Sequence, residues 1–250
     1  LYHILPGTSH TVNVGVNSWS PDNAPRETGA NNFTSIAQSE WKCGFTGWWI
    51  KNVVIGTRHD YQILGTHWGP IIWYDPEVPE IPREKLPEDM LFLTRGYLCM
   101  RSGWGPDDTF VHFHCGRFEG DSRNNPDNNS FVIYRKKYLA CDSGTRGLNN
   151  PGHPANSGWP GKHHELYFKQ TIAHNTISVG TDDIRGLGGC IAVCGGQVSR
   201  VPAQWLKMYG LPVTYENRYS RQAGRIIAYE THPAFCYAVG DARCSYSPYK

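Results

Sequence analysis

Asp142 and His174 are the residues whose types and surroundings best fit chemistry. Asp142 directly follows the apolar run 138–141, and His174 lies at the centre of Thr-Ile-Ala-His-Asn-Thr-Ile-Ser-Val, residues 171–179. A carboxylate at one strand end and an imidazole inside another strand converge when the strands are neighbours. They then form two ligands of a metal site, or a charged pair beside a substrate. Two structural readings stand next to these. Asp142 before Ser143-Gly144 also suits a turn cap, and His174-Asn175 also suits a hydrogen-bonded core pair. His112 and His114 alternate along one stretch and so share a face. That face is read first as solvated, with supply of a further metal ligand as the alternative. Arg146, His163 and His164 border the Gly/Pro/Asn-rich loop 147–161. Such a loop either closes over a chain-like ligand or is a surface loop without function.

The elements that must position these residues read as short strands. Residues 131–134 and 138–141 form two strands joined by the basic turn Arg135-Lys136-Lys137. Residues 97–101, 109–115, 171–179, 225–230 and 235–240 have the same character, with turn signals at short spacing between them. This pattern predicts a mainly β chain built as an antiparallel β-sandwich. The N-terminal third differs. Residues 6–30 read as loop, whereas 35–44 and 45–55 carry apolar residues at helical spacing that Gly44 and Gly47 interrupt. Residues 77–89 alternate charge and hold Pro79, Pro82 and Pro87, with Pro76 flanking, which reads as a linker. The expected organisation is a helical part at 1–78, a linker at 79–90 and a sandwich at 91–250.

Composition agrees. Nine Trp and fourteen Tyr, with 27 Gly and 17 Pro among 250 residues, suit short strands, many turns and a carbohydrate-facing surface. The formal charge of +2 does not indicate nucleic-acid binding as a bulk property. Eight cysteines without a CxxC…CxxC pattern argue against a zinc–thiolate module. Disulfide pairing in an oxidising compartment and buried free thiols both stay open. No apolar run approaches the ~20 residues of a membrane span, and no signal peptide opens the chain. A fragment or processed chain of a longer protein is expected. The sequons at Asn32 and Asn128 are read as chance matches.

Several words in fixed order resemble the heparinase II/III-like domain of polysaccharide lyases. They are Asp127-Asn128-Asn129-Ser130-Phe131-Val132-Ile133-Tyr134, then Leu139-Ala140-Cys141-Asp142-Ser143-Gly144, then Thr171-Ile172-Ala173-His174-Asn175-Thr176. The likeness extends upstream to 98–105 and downstream to Gly195-Gly196-Gln197, 240–242 and 246–247, covering roughly residues 90 to 250. In that family an α/α toroid precedes the sandwich. The resemblance therefore implies that 1–78 is the end of a toroid and that the sandwich is truncated. The rest of the toroid would come from the remainder of the chain or from a second chain.

The resemblance implies β-elimination on a uronate-containing, acidic polysaccharide by a secreted or periplasmic lyase. The proton beside a carboxylate is weakly acidic until the carboxylate is neutralised, so the site needs cations or hydrogen-bond donors there, plus a base and an acid. The family carries an HxHxD motif before the Ser-Phe strand. Here Arg123 and Asn125 occupy the two His positions. Arg123 can pair a carboxylate through its planar fork, whereas Asn125 offers only an amide oxygen. Asp142 and His174 stand where further metal ligands are expected, so zinc is the cofactor implied. Tyr167 lies where the family keeps a Tyr near the sugar. The expected roles are catalytic for Tyr167 and Arg123, substrate-binding for Asn125, Arg146, His164 and Gln197, and metal-ligating for Asp142 and His174. The rival expectation is a non-catalytic carbohydrate-binding or structural sandwich. The Arg123 and Asn125 departures favour that one, and the presence of Asp142, His174 and Gln197 favours the lyase.

Overall fold

A computed structural model describes residues 2–8, 12, 31–55, 72–118, 125–142, 167, 170–180, 184–187, 190–192, 195–198, 207, 210–214 and 223–246. Among them the chain is mainly β and antiparallel, as the strand pattern implied. A five-stranded meander runs β1 (Met90–Phe92), β2 (Tyr97–Arg101), β3 (Phe110–His114), β4 (Ser130–Arg135) and β5 (Lys137–Ala140), each pairing only with its sequence neighbour. Two hairpins follow: β6 (Ile184–Leu187) with β7 (Cys190–Ala192), and β8 (Arg225–His232) with β9 (Phe235–Asp241).

Alternation along the strands sorts the meander into two faces. Opposed across β2, β3 and β4 are Tyr97, His114 and Ser130, then Cys99, His112 and Val132, then Arg101, Phe110 and Tyr134. On this face Cys99, Phe110, Val132 and Tyr134 form a core with Tyr2, Leu5, Val12 and Trp104. The N-terminal segment 2–8 thus covers the sheet. Arg101 fixes it there, donating to the carbonyls of Tyr2 and Ile4 while its guanidinium lies over the rings of Trp104 and Phe110, 4.5 and 4.6 Å from their centroids. The opposite face carries Leu98 and Phe113, and there the β8–β9 hairpin meets the end of β3. A Cβ on Gly240 would come within 2.8 Å of Phe113 Cζ, and Gly224 N donates to Gly116 O at 2.9 Å.

Helical spacing at 35–55 gives α1 (Asn31–Glu40), α2 (Gly44–Trp49) and a π-helical turn Ile50–Ile55. Lys42, at φ 50°, ends α1 in left-handed geometry, and Cys43 N reaches back to Ala37 O at 3.3 Å. The proline-rich stretch lies against these helices. Ile81 N donates to Gly44 O, Lys51 pairs with Glu80 at 2.7 Å, and Gln38 exchanges hydrogen bonds with the Asp75 main chain.

The run 171–179 is not a strand. Thr171–Ala173 is a 3-10 turn, and the following residues join no ladder among the described residues. Side chains there supply the contacts a ladder would have made. Thr171 Oγ1 donates to Pro126 O and accepts from Gln197 N, both at 2.7 Å, while Asn175 Nδ2 donates to Phe131 O and Cys141 O at 2.9 Å. Local polar side chains competing for the backbone outweigh β-branched propensity here.

Candidate functional site

One end of the covered sheet face gathers the titratable residues. Asn175, bonded to carbonyls of both β4 and the end of β5, draws the 171–176 segment against the sheet edge where Asp142 emerges. His174 Nδ1 consequently lies 2.9 Å from both carboxylate oxygens of Asp142, with both residues buried. Asp127 precedes β4 on a turn closed by Ser130 N to Asp127 O at 3.0 Å. Its carboxylate meets His114 Nδ1 at 3.2 Å, and the His114 ring packs against Tyr97 with centroids 4.8 Å apart.

Asp127, Asp142 and His174 each offer one ligand atom within 4.8 Å of the others, and all three are buried. Two buried carboxylates this close need a cation, a proton or an imidazolium to offset their desolvation. A donor set of two carboxylates and one imidazole suits zinc or a harder divalent ion. The residues present therefore fit a metal. Asp127, rather than the amide of Asn125, stands third beside Asp142 and His174.

Two clefts share this wall. One is lined by Tyr97, His112, His114, Asp127, Ser130 and Asp142, and the next by Arg95, Tyr97, Arg117, Asn125 and Asp127. Arg95 and Arg117 bring positive charge to a surface that otherwise carries carboxylates. Burial lowers the His112 pKa well below the ordinary imidazole value, helped by the neighbouring His3 and His114.

The expected site residues divide into three groups. Asp142, His174 and Asn125 are together at this wall, Asn125 being 5 % exposed. Tyr167 is 37 % exposed and its carbonyl accepts from Gln170 N at 2.8 Å. Gln197 is fully buried, with its amide spent on Asn128: Asn128 N donates to Gln197 Oε1, and Gln197 Nε2 donates to Asn128 O, each at 2.8 Å. In this structure it braces the turn that carries Asp127 and presents nothing to solvent. Arg123, Arg146 and His164 lie outside the described residues. The reading of His112 and His114 as a solvated face is corrected: His112 is 2 % exposed and His114 is paired with Asp127. Segment 2–8 covers their face, and no local pattern around residue 112 announces it.

The family model described as Heparinase II/III-like, C-terminal, matches residues 84–199, the span that holds Asp127, Asp142 and His174. That span, a little under half of the chain, resembles the heparinase II/III-like C-terminal family. Among solved structures, the chain is similar to a heparinase III gene product, with 23 % identity over 50 % of this chain and 18 % of that one, at a TM-score of 0.31. It is also similar to a mutant of the heparan sulfate lyase HepC from Pedobacter heparinus, with 15 % identity over 76 % of this chain and 25 % of that one, at a TM-score of 0.31. The chain thus spans a quarter or less of the length of either. No curated protein matches it.

Proposed function

We propose that this heparinase II/III-like chain serves a secreted or periplasmic polysaccharide lyase that cleaves a uronate-containing glycan by β-elimination. The observation that carries the reading is the buried Asp127–Asp142–His174 cluster beside Arg95 and Arg117, inside the family-matched span. In such a reaction a base removes the proton next to the uronate carboxylate. The electron pair forms the carbon–carbon double bond, and the 4-linked sugar leaves with a proton from an acid. Asp127, Asp142 and His174 would hold a divalent cation, zinc being the proposed one, which when bound adds positive charge at this wall. Arg95 and Arg117 are proposed to hold the substrate carboxylate and lower the cost of the developing charge. Asn125 would donate an amide hydrogen bond there, and the Tyr167 hydroxyl would handle a proton. Arg123, Arg146 and His164 are proposed to complete the substrate side. Residues 1–78 would be the end of a toroid whose remainder supplies the principal base and acid.

The test is direct. The full-length protein is incubated with a panel of uronate glycans, and the ultraviolet absorbance of the unsaturated product is followed. Turnover on at least one glycan is expected, and Arg123→Ala should lower kcat/KM by an amount equivalent to at least ~2 kcal/mol, as for loss of one oxyanion donor. Arg123→Lys should recover only part of that. Glycan binding without any absorbance gain would instead establish the non-catalytic binding module, the reading that Asn125 in place of a His favours.

A further inference from the structure

On the same sheet face, beyond the His114–Asp127 pair, a second group of ligand-type residues converges. Cys99 and His112 are directly opposed on β2 and β3, so their side chains leave the same face side by side. His3 comes to them from the covering segment, its ring centroid 5.5 Å from that of His112. The main chain on both sides of His3 is fixed, because Arg101 grips the Tyr2 and Ile4 carbonyls and Val12 N donates to His3 O at 2.7 Å. One ligand atom from each of His3, Cys99 and His112 lies within 4.8 Å of the other two. His112 Nε2 is buried and has no hydrogen-bond partner among the described residues. A buried imidazole nitrogen left this way is costly unless something occupies it.

We propose that His3, Cys99 and His112 form a second metal site, separate from Asp127–Asp142–His174, that takes a thiophilic divalent ion, Zn2+ by preference. One thiolate and two imidazoles are a borderline-soft donor set that suits zinc with a fourth position open. Zinc–nitrogen distances of ~2.0–2.1 Å and a zinc–sulfur distance of ~2.3 Å require the three groups to close by about 1 Å or less. Burial holds the His3 pKa down at about 4, so both imidazoles are neutral and ready to ligate near pH 7. Burial also pushes the Cys99 thiol up to about 12, so the thiol is protonated without metal. Binding therefore displaces one proton from Cys99 to solvent, leaving a metal–thiolate unit of net charge +1. His3 is only partly buried and gives the ion its side of entry. The ring of Tyr97, in contact with both His112 and His114, stands between the two clusters. The site does not depend on the proposed lyase activity.

The two clusters differ in one readable way, since only this one contains sulfur. Titrating the full chain with Co2+ should produce a saturable thiolate-to-cobalt charge-transfer band in the near ultraviolet, with one equivalent bound and displaced by Zn2+. Cys99→Ala should abolish the band. His3→Gln, at a partly exposed position, should weaken Co2+ binding by at least about tenfold and keeps the test readable if Cys99→Ala misfolds. Asp142→Asn should leave the band in place. No band in the parent chain, or a band that survives Cys99→Ala and His3→Gln unchanged, would overturn the assignment.

Discussion

Asn128 shows how much of this site rests on one side chain. It is fully buried, and its Oδ1 accepts from Gly116 N at 2.7 Å while its Nδ2 donates to Ser245 Oγ at 2.9 Å. Its own carbonyl accepts from Gln197 Nε2 and from Thr176 Oγ1 at 2.6 Å. The residue before it is Asp127, and the residues it ties down lead to Arg117 on one side and His174 on the other. Asn128→Ala would leave the buried Gly116 N–H without its acceptor, costing about 1–3 kcal/mol, and would remove the Asn128 Nδ2 bond to Ser245 Oγ, which keeps its own bond to Ala223 O. A loss of about 2–4 kcal/mol in unfolding free energy is expected from the same principle and is checked by urea denaturation. Asn128→Asp should not rescue it, because a carboxylate still accepts from Gly116 but cannot donate to Ser245. The burial of Asn128 also removes the sequon as a glycosylation site. At this scale the sequence was legible where a residue type permits few roles. The pairing of Asp142 with His174 was readable for that reason. Asp127 was visible in the motif, but its place beside them was not, because only the fold of the 125–130 turn sets which of Asn125 and Asp127 faces the pair.

The strands hold their side chains where they do because of a close crossing at Gly96 and Gly116. Gly96 takes φ +67°, and a Cβ there would lie 2.1 Å from Cys115 O and 2.6 Å from the Gly116 Cα. Across the same crossing Cys115 N donates to Gly96 O at 2.8 Å. Arg95, Tyr97 and Arg117 leave the chain immediately beside these two glycines and line one cleft together. Gly96→Ala adds a left-handed conformation costing about 1–2 kcal/mol to a backbone clash that only strand movement relieves. A stability loss above about 2 kcal/mol is expected, together with weaker glycan binding, read by thermal denaturation and by calorimetric titration. A variant with parent stability would show that β2 and β3 tolerate a wider crossing, so that the glycine is not what aligns the cleft. Hairpin β4–β5 and helices α1 and α2 were readable from period and turn chemistry. The 171–179 stretch was not, since its β-branched residues carry the period of a strand while Thr171, Asn175 and Thr176 divert the hydrogen bonds.

Over the whole molecule, charge and covering decide what the site can meet. Lys and Arg number 24 against 22 Asp and Glu, so the net charge by itself exerts little long-range pull on a polyanion. Within the described residues no helix is long and apolar enough to cross a membrane. The fold class could be read from turn spacing because strands are local, whereas the covering of His112 could not, since segment 2–8 lies about a hundred residues away in sequence. On the proposed reading, recognition of an acidic glycan would come from a few local contacts, with Arg95 and Arg117 as the proposed cations. Exposed ion pairs contribute about 0–1 kcal/mol each and are screened by salt. Raising ionic strength from about 0.05 to about 0.5 M should therefore weaken glycan binding by no more than about tenfold. Arg117→Ala should weaken it by more than the salt does, because Arg117 is half-buried and its loss removes directed hydrogen bonds as well as charge. Both effects are measurable by calorimetric titration of one uronate oligosaccharide across a salt series. A steeper salt dependence with Arg117→Ala unaffected would place binding on a dispersed basic surface and remove Arg95 and Arg117 from the carboxylate-holding role.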